Sequence, residues 1–182
     1  MWLWIIPILI VILILWVAAS YNGLIGKRNK VNNQWGQVDV QLKRRFDLIP
    51  NLVETVKGYA THEKSTFEAV TQARTQYVNA QTPADKMNAN GEISGLIGRL
   101  FAVAESYPEL KANTNFLSLQ NELSETENKI SFARQFYNDT VMDYNNAVQM
   151  FPSNIFAGAF GFKTADFFKT NDSEKAVPQV KF

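Results

Sequence analysis

The chain's only histidine, His62, stands beside Glu63 at the end of the stretch QLKRRFDLIPNLVETVKGYATHE, residues 41–63. An imidazole next to a carboxylate can move protons or hold a metal, and Glu54 is a third candidate for such work. The spacing supports neither chemistry. A zinc-protease helix needs a second histidine one turn away, and the chain has none. A carboxylate di-metal site in a helical bundle needs about four inward carboxylates and two histidines at Glu-x-x-His spacing. Glu122, Glu125, Glu127, Asp139 and Asp143 instead fall mainly off the apolar stripe of their segment. The absence of cysteine removes disulfides, thiol chemistry and thiolate-bound metals. GLIG occurs at 23–26 and 95–98, but neither copy has the spacing of a phosphate-binding loop. No serine sits in a nucleophile elbow. His62 reads as a corner residue at a helix start. The expectation is a protein that is not an enzyme, with no catalytic residue, no metal ligand and no cofactor.

The same stretch opens with Lys43, Arg44 and Arg45, which could meet lipid head groups or nucleic acid. A formal net charge of +1 points to no polyanion, and no nucleic-acid partner is expected. The charge is unevenly placed. Residues 1–26 have no charged side chain, and residues 27–45 hold six cations against Asp39 alone. If the chain rises helically from a membrane, Lys43 lies about 24 Å beyond Lys27, more than two Debye lengths of about 8 Å. Only Lys27, Arg28 and Lys30 then feel the bilayer. Lys43, Arg44 and Arg45 read as paired locally with Asp39, Asp47 and carboxylates of other helices. Their functional alternative is a surface for a partner or a second copy, together with Asp47 and Glu54.

These residues need elements to carry them. WLWIIPILIVILILWVAA, from Trp2 to Ala19, has no polar residue and spans about 27 Å as a helix, close to the roughly 30 Å of a bilayer core. Trp2, Trp4, Trp16 and Tyr21 sit near its ends, where aromatic rings favour the interface. Pro7 is tolerable near its start. A cleaved signal peptide ending at Val17-Ala18-Ala19 is the rival, but the apolar run exceeds the usual ~7–15 residues and no cation precedes it. The cations that follow put the N-terminus outside and the domain in the cytoplasm, as in a single-pass protein of a bacterial inner membrane.

Beyond the anchor the pattern is all-α. Val31, Trp35, Val38, Leu42, Phe46, Ile49, Val53, Val56 and Ala60 step by three and four, in phase across Pro50. That predicts one long helix kinked at Pro50; the alternative is a fresh helix capped by Asp47. Phe116, Leu119, Leu123, Thr126, Ile130, Ala133, Tyr137, Thr140, Tyr144, Val148 and Phe151 form a second stripe of heptad period, which predicts coiled-coil-like packing. Two shorter helices are expected between them. One runs from His62 to Ala80 with Phe67, Val70, Ala73 and Tyr77 inward. The other runs from Ile93 to Ser106 with Ile93, Leu96, Ile97, Leu100 and Val103 inward, after a polar loop QTPADKMNANGE. Four stripes bury one another as an antiparallel four-helix bundle. Asn51, Asn128, Asn138 and Asn145 lie beside the seam and are expected to set its register.

The expected organisation is an anchor over 1–26, a bundle over 27–151, an aromatic cap over 152–168 and a flexible tail over 169–182. The cap carries Phe156, Phe160, Phe162, Phe167 and Phe168 after Phe151. It reads first as a cover folded over the bundle end, and otherwise as an element that touches membrane or joins subunits.

Long stretches also resemble the LemA family of bacterial membrane proteins: RNKVNNQWGQVDVQLKRRFDLIPNLVETVKGYATHE, SYPELKANTNFLSLQNELSETENKISFARQFYND and VMDYNNAVQMFPSNIFAGAFGF, with the N-terminal anchor. The resemblance covers residues 1–168. It includes Arg44, Arg45, Asp47, Pro50, Asn51, Glu54, Tyr59, Pro108, Lys111, Asn113, Gln120, Arg134, Tyr137, Asn138, Tyr144, Asn145, Pro152, Gly161 and Phe162. The departures are small: NNQWGQ where members commonly carry Ala-Trp-Ser-Gln, and Phe46 where tyrosine is usual. The resemblance implies a transmembrane helix, a cytoplasmic helical bundle and no assigned enzymatic activity. A magnetosome membrane protein is similar to this family, which hints at membrane organisation. Some members are encoded near membrane zinc metalloproteases, which hints at an accessory subunit of a membrane enzyme. The expectation drawn from both sources is a membrane-anchored scaffold that forms a homo-oligomer or docks a membrane-protein partner.

Overall fold

The structure, a computed structural model, describes residues 5–169. Trp2, Trp4 and the tail beyond Lys169 lie outside the described residues. Those described form six helices and no strand: α1 Ile5–Lys57, α2 Lys64–Asn79, α3 Pro83–Glu105, α4 Pro108–Lys111, α5 Thr114–Gln149 and α6 Ser153–Ala159. They group into two compact units. Among the described residues, one joins 5–37 to 134–167, and the other joins 38–133 to 168–169.

Helix α1 runs for 53 residues and continues through Pro50, so no fresh helix begins at Asp47. Proline removes one backbone hydrogen bond there, but Phe46, Ile49, Leu52, Val53 and Val56 are all buried around it. Tertiary packing on both sides of the proline holds the helix together. His62 lies, as expected, in the short connection between α1 and α2.

In the second unit, side-chain pairs fix the helix directions. Along α1, Phe46 meets Tyr77 while Lys57 reaches Phe67, so α2 runs back against α1. Asp39 meets Lys86 while Arg45 meets Asn90 and Ser94, so α3 runs along α1 again. The core between them holds Leu52, Val56, Val70, Ile93, Leu100, Phe116 and Ile130, each almost wholly buried. The expected inward set of α2, Phe67, Val70, Ala73 and Tyr77, is buried in full.

Helix α3 differs from expectation. It starts at Pro83, ten residues before Ile93, and takes in most of the stretch read as a polar loop. The cause is local. The Thr82 hydroxyl accepts from the Asp85 backbone N–H at 3.1 Å, and Pro83 occupies the first helical position, where its missing donor costs nothing. Met87, Ala89 and Asn90 then bury the early turns.

Helix α5 is capped by Asn113, whose side chain accepts from the Phe116 N–H at 3.0 Å. Its stripe is buried at Phe116, Leu123, Thr126, Ile130, Tyr137 and Tyr144. Near its end the buried positions include Val141 and Asn145, whereas Thr140 is only half-buried. Phe151, expected on the stripe, is exposed. The helix ends at Gln149, because the residue before Pro152 is disfavoured in helical backbone, and Phe151 leaves the helical phase.

The α3 cap gives a direct test. Thr82→Ala should cost about 1 kcal/mol in denaturant unfolding and speed hydrogen exchange at the Asp85 amide. No change in either would contradict the cap.

Candidate functional site

One track of α1 steps alternately by four and three: Val38, Leu42, Arg45, Ile49, Leu52 and Val56. Every member is buried, including the arginine, which is 4% exposed. Arg45 is therefore not part of a charged surface, as the run Lys43-Arg44-Arg45 suggests. Lys43 and Arg44 are exposed, while Arg45 points into the second unit. Its Nη1 donates to Asn90 Oδ1 at 2.9 Å and to Ser94 Oγ at 3.0 Å, both on α3. It also pairs with Glu127 Oε2 on α5 at 2.8 Å. Ser94 in turn donates to the Asn90 carbonyl. The cluster therefore ties α1 to α3 and α5.

Its partners are unequal. Asn90 is buried, whereas the Glu127 side chain is 41% exposed and stands at the mouth of a groove of about 380 Å3. Ile97, Gly98, Phe101 and Leu123 line the rest of that groove with Arg45 and Ser94. Ser124 and Asn128 complete a lining of mixed polar and apolar groups, in which the guanidinium is already engaged by the protein.

Six residues before Arg45 on α1, Asp39 accepts from Lys86 Nζ at 2.6 and 2.8 Å and from the Tyr77 hydroxyl at 3.2 Å. The Phe46 ring stacks on Tyr77 at 3.8 Å, and the Lys86 ammonium lies 5.6 Å from the Tyr77 ring centre. Burial, then the Asp39 charge, raise the Tyr77 pKa well above its ordinary 10.0. A raised phenol favours the folded state below pH 10, and that contribution fades only as pH climbs through the raised value. Tyr77 is thus a neutral donor at physiological pH and not a base. Asp39 pairs with Lys86 and not with the cations at 43–45. Asp47 and Glu54 are exposed, Glu54 beside Lys57 at 3.1 Å. His62 is exposed, and no cluster of potential metal ligands occurs among the described residues.

The first unit holds the aromatic segment. Helix α6 lays Phe156 edge-on against Trp16 at 4.9 Å. Phe160 and Phe162 meet Tyr21 at 5.0 and 5.8 Å, and the Arg28 guanidinium lies 5.3 Å from the Phe162 ring centre. Gly161 adopts φ +71, which only glycine tolerates readily. It closes α6: the Phe162 N–H reaches the Ala157 carbonyl and the Gly161 N–H the Gly158 carbonyl, as in a Schellman cap. Residues 163–166 then run along α5. Tyr144 donates to the Lys163 carbonyl at 2.8 Å and Tyr137 to the Asp166 carbonyl at 2.9 Å. Asn145 donates to the Ala165 carbonyl and accepts from the Ala165 N–H, at 2.9 and 2.8 Å.

Asn145 therefore secures this strap and does not set a helix–helix register. Asn51 and Asn128 are exposed. Burial raises the phenol pKa of both Tyr137 and Tyr144. Of the predicted phenylalanines, Phe162 and Phe168 are buried, Phe156 half-buried, and Phe160 and Phe167 exposed. Lys27 is half-buried and Lys30 exposed. Phe160 also lines an apolar groove of about 420 Å3 with Leu13, Ile14, Val17, Ala18 and Tyr21. Both arrangements can hold segments together and present surfaces. Neither aligns an acid with a base or a nucleophile.

The inequality of the Arg45 partners makes an asymmetric prediction. Glu127→Ala leaves a buried cation with neutral partners and should cost about 2–3 kcal/mol in denaturant unfolding of the full chain in detergent. Arg45→Met keeps the packed stem and lets Glu127 turn to water, so it should cost less. The double variant should be no less stable than Arg45→Met. A neutral Glu127→Ala would show that the pair does not neutralise the guanidinium.

The chain is similar to several known proteins. The chain is 26% identical over 189 residues to magnetosome protein MamQ 2 of Paramagnetospirillum magneticum, covering 88% of this chain and 70% of that protein. It is 24% identical over 155 residues to protein LemA of Metamycoplasma hominis, covering 85% and 71%. It is 23% identical to magnetosome protein MamQ of Magnetospirillum gryphiswaldense, over 88% and 70%. Among the described residues, the one helix long and apolar enough to cross a membrane is α1, near the N-terminus. With the LemA family model matching residues 34–182, which take in the buried Arg45 cluster and the strap alike, the chain belongs to the LemA family.

Proposed function

We propose that this protein is a non-catalytic scaffold, anchored in the membrane by the N-terminal part of α1, with its helical domain in the cytoplasm. The observation that carries this reading is the use made of buried polar groups. Of the buried polar or charged residues among those described, Arg45 and Asn90 bond each other across α1 and α3 and Asn145 bonds the strap, while Thr126 bonds the Glu122 carbonyl one turn back on its own helix. An active site holds polar groups ready for a substrate, whereas Arg45, Asn90 and Asn145 are used in holding helices and strap together. Relatives named as LemA and magnetosome proteins, and not as enzymes, support the same reading.

A scaffold needs outward surfaces. Helix α5 exposes Phe132 at 63% and Phe136 at 61%, one turn apart, and these offer an apolar contact for a second copy or a partner. Lys43, Arg44, Asp47 and Glu54 add exposed charge on α1. The scaffold reading expects a photo-crosslinking residue at Phe132 to give defined adducts in intact membranes, either with the chain itself or with one membrane protein. Adducts of a single one-to-one complex would indicate an accessory subunit. No adduct at Phe132 and none at Phe136 would contradict docking through α5.

A further inference from the structure

The aromatic segment ending α5 and forming α6 has a feature that a cover over a soluble bundle does not need. Residues 144–162 carry no charged side chain, and neither do residues 1–26 of the anchor. Charge resumes at one level in the first unit. Arg28 lies against Phe162, Lys163 follows at once, and the Tyr144 hydroxyl bonds the Lys163 carbonyl across the neck of the uncharged run. From that neck the segment runs toward the N-terminal end of α1 as far as Trp16, where Phe156 rests. Trp16 is about 18 Å from Arg28 along a helix of 1.5 Å rise per residue.

We propose that residues 144–162 form a foot that enters the cytoplasmic half of the lipid bilayer beside α1. The inference rests on the reading that the N-terminal part of α1 spans the membrane. If Arg28 and Lys163 lie at head-group level, Phe156 falls past the roughly 5–7 Å polar layer of a leaflet and within its hydrocarbon. If the core instead ends at Ala19, Trp16 and Phe156 lie at its last turn. Lipid meets the foot in both placements.

Two further observations fit lipid and not water. Met150, Phe151, Ile155 and Phe160 are 60%, 79%, 57% and 50% exposed, a cluster of large apolar side chains on one short segment. The groove of Leu13, Ile14, Val17, Ala18, Tyr21 and Phe160 continues it onto the anchor and has the chemistry of an acyl-chain site. Much of the backbone of the turn is also bonded internally. Asn154 N–H bonds the Met150 carbonyl, Ile155 N–H the Pro152 carbonyl, Phe160 N–H the Phe156 carbonyl, and Ser153 Oγ the Met150 carbonyl. Gly161 and Phe162 close the other end on Gly158 and Ala157. Each such bond lowers the cost of taking that backbone group out of water.

The chain has no cysteine, so single labels are available without a background. Full-length Ile155→Cys, Ile10→Cys and Val78→Cys, each carrying an environment-sensitive fluorophore, would be reconstituted into phosphatidylcholine–phosphatidylglycerol vesicles. Doxyl-labelled lipid and aqueous iodide would serve as quenchers. The foot predicts that the Ile155 label loses emission to doxyl lipid as the Ile10 label does, and is spared by iodide, while the Val78 label does the reverse. A label at Ile155 that behaves like Val78, with Ile10 still quenched by lipid, would overturn the foot and leave the anchor intact. A label at Ile155 shielded from both quenchers would place a protein surface there and overturn it equally. An Ile10 label untouched by lipid would remove the spanning anchor, and the foot with it.

Discussion

Burying the Arg45 guanidinium constrains its whole unit. A cation 4% exposed is tolerable only where acceptors meet it. The acceptors come from Asn90 and Ser94 on α3 and from Glu127 on α5. That requirement fixes the axial position of α3 against α1 and the face that α5 turns inward. Apolar packing alone would tolerate small slips, because leucine and valine meet their neighbours without direction. The Asp39–Lys86–Tyr77 set, six residues earlier on α1, repeats the constraint between α1, α2 and α3.

The first unit solves a different problem by the same means. Its aromatic segment has no regular partner along most of its length, so hydroxyls and an amide from α5 hold the strap. Tyr137, Tyr144 and Asn145 lie along one side of α5 at steps of seven and one. The Gly161 turn directs the chain from α6 onto that side. The outcome is a helix end that carries aromatic rings against Trp16 and Tyr21 and leaves other apolar side chains outward.

Helical class and most inward faces were readable because the apolar spacing is long and regular. Phe67, Val70, Ala73 and Tyr77 are buried as their spacing implies, and the stripe of α1 keeps phase through Pro50. The start of α3 was misread because MNANGE looks polar, although Thr82, Pro83 and Asp85 already form a helix-start signal. The pairing of Arg45 with a carboxylate of another helix was readable, but its burial was missed because charge outweighed periodicity: its place between Leu42 and Ile49 on a four-three track marked it as inward, as it did Leu52. The strap left no such trace. Tyrosines and an asparagine at seam positions look the same whether they face another helix or a returning segment, and only the fold distinguishes the two.

In the proposed scaffold both units join segments and present surfaces. The most direct test is the mass of the full-length protein in mild detergent, by light scattering or mass photometry. A defined homo-oligomer that loses subunits on Phe132→Ser is the predicted result. A clean monomer at every concentration would contradict self-assembly.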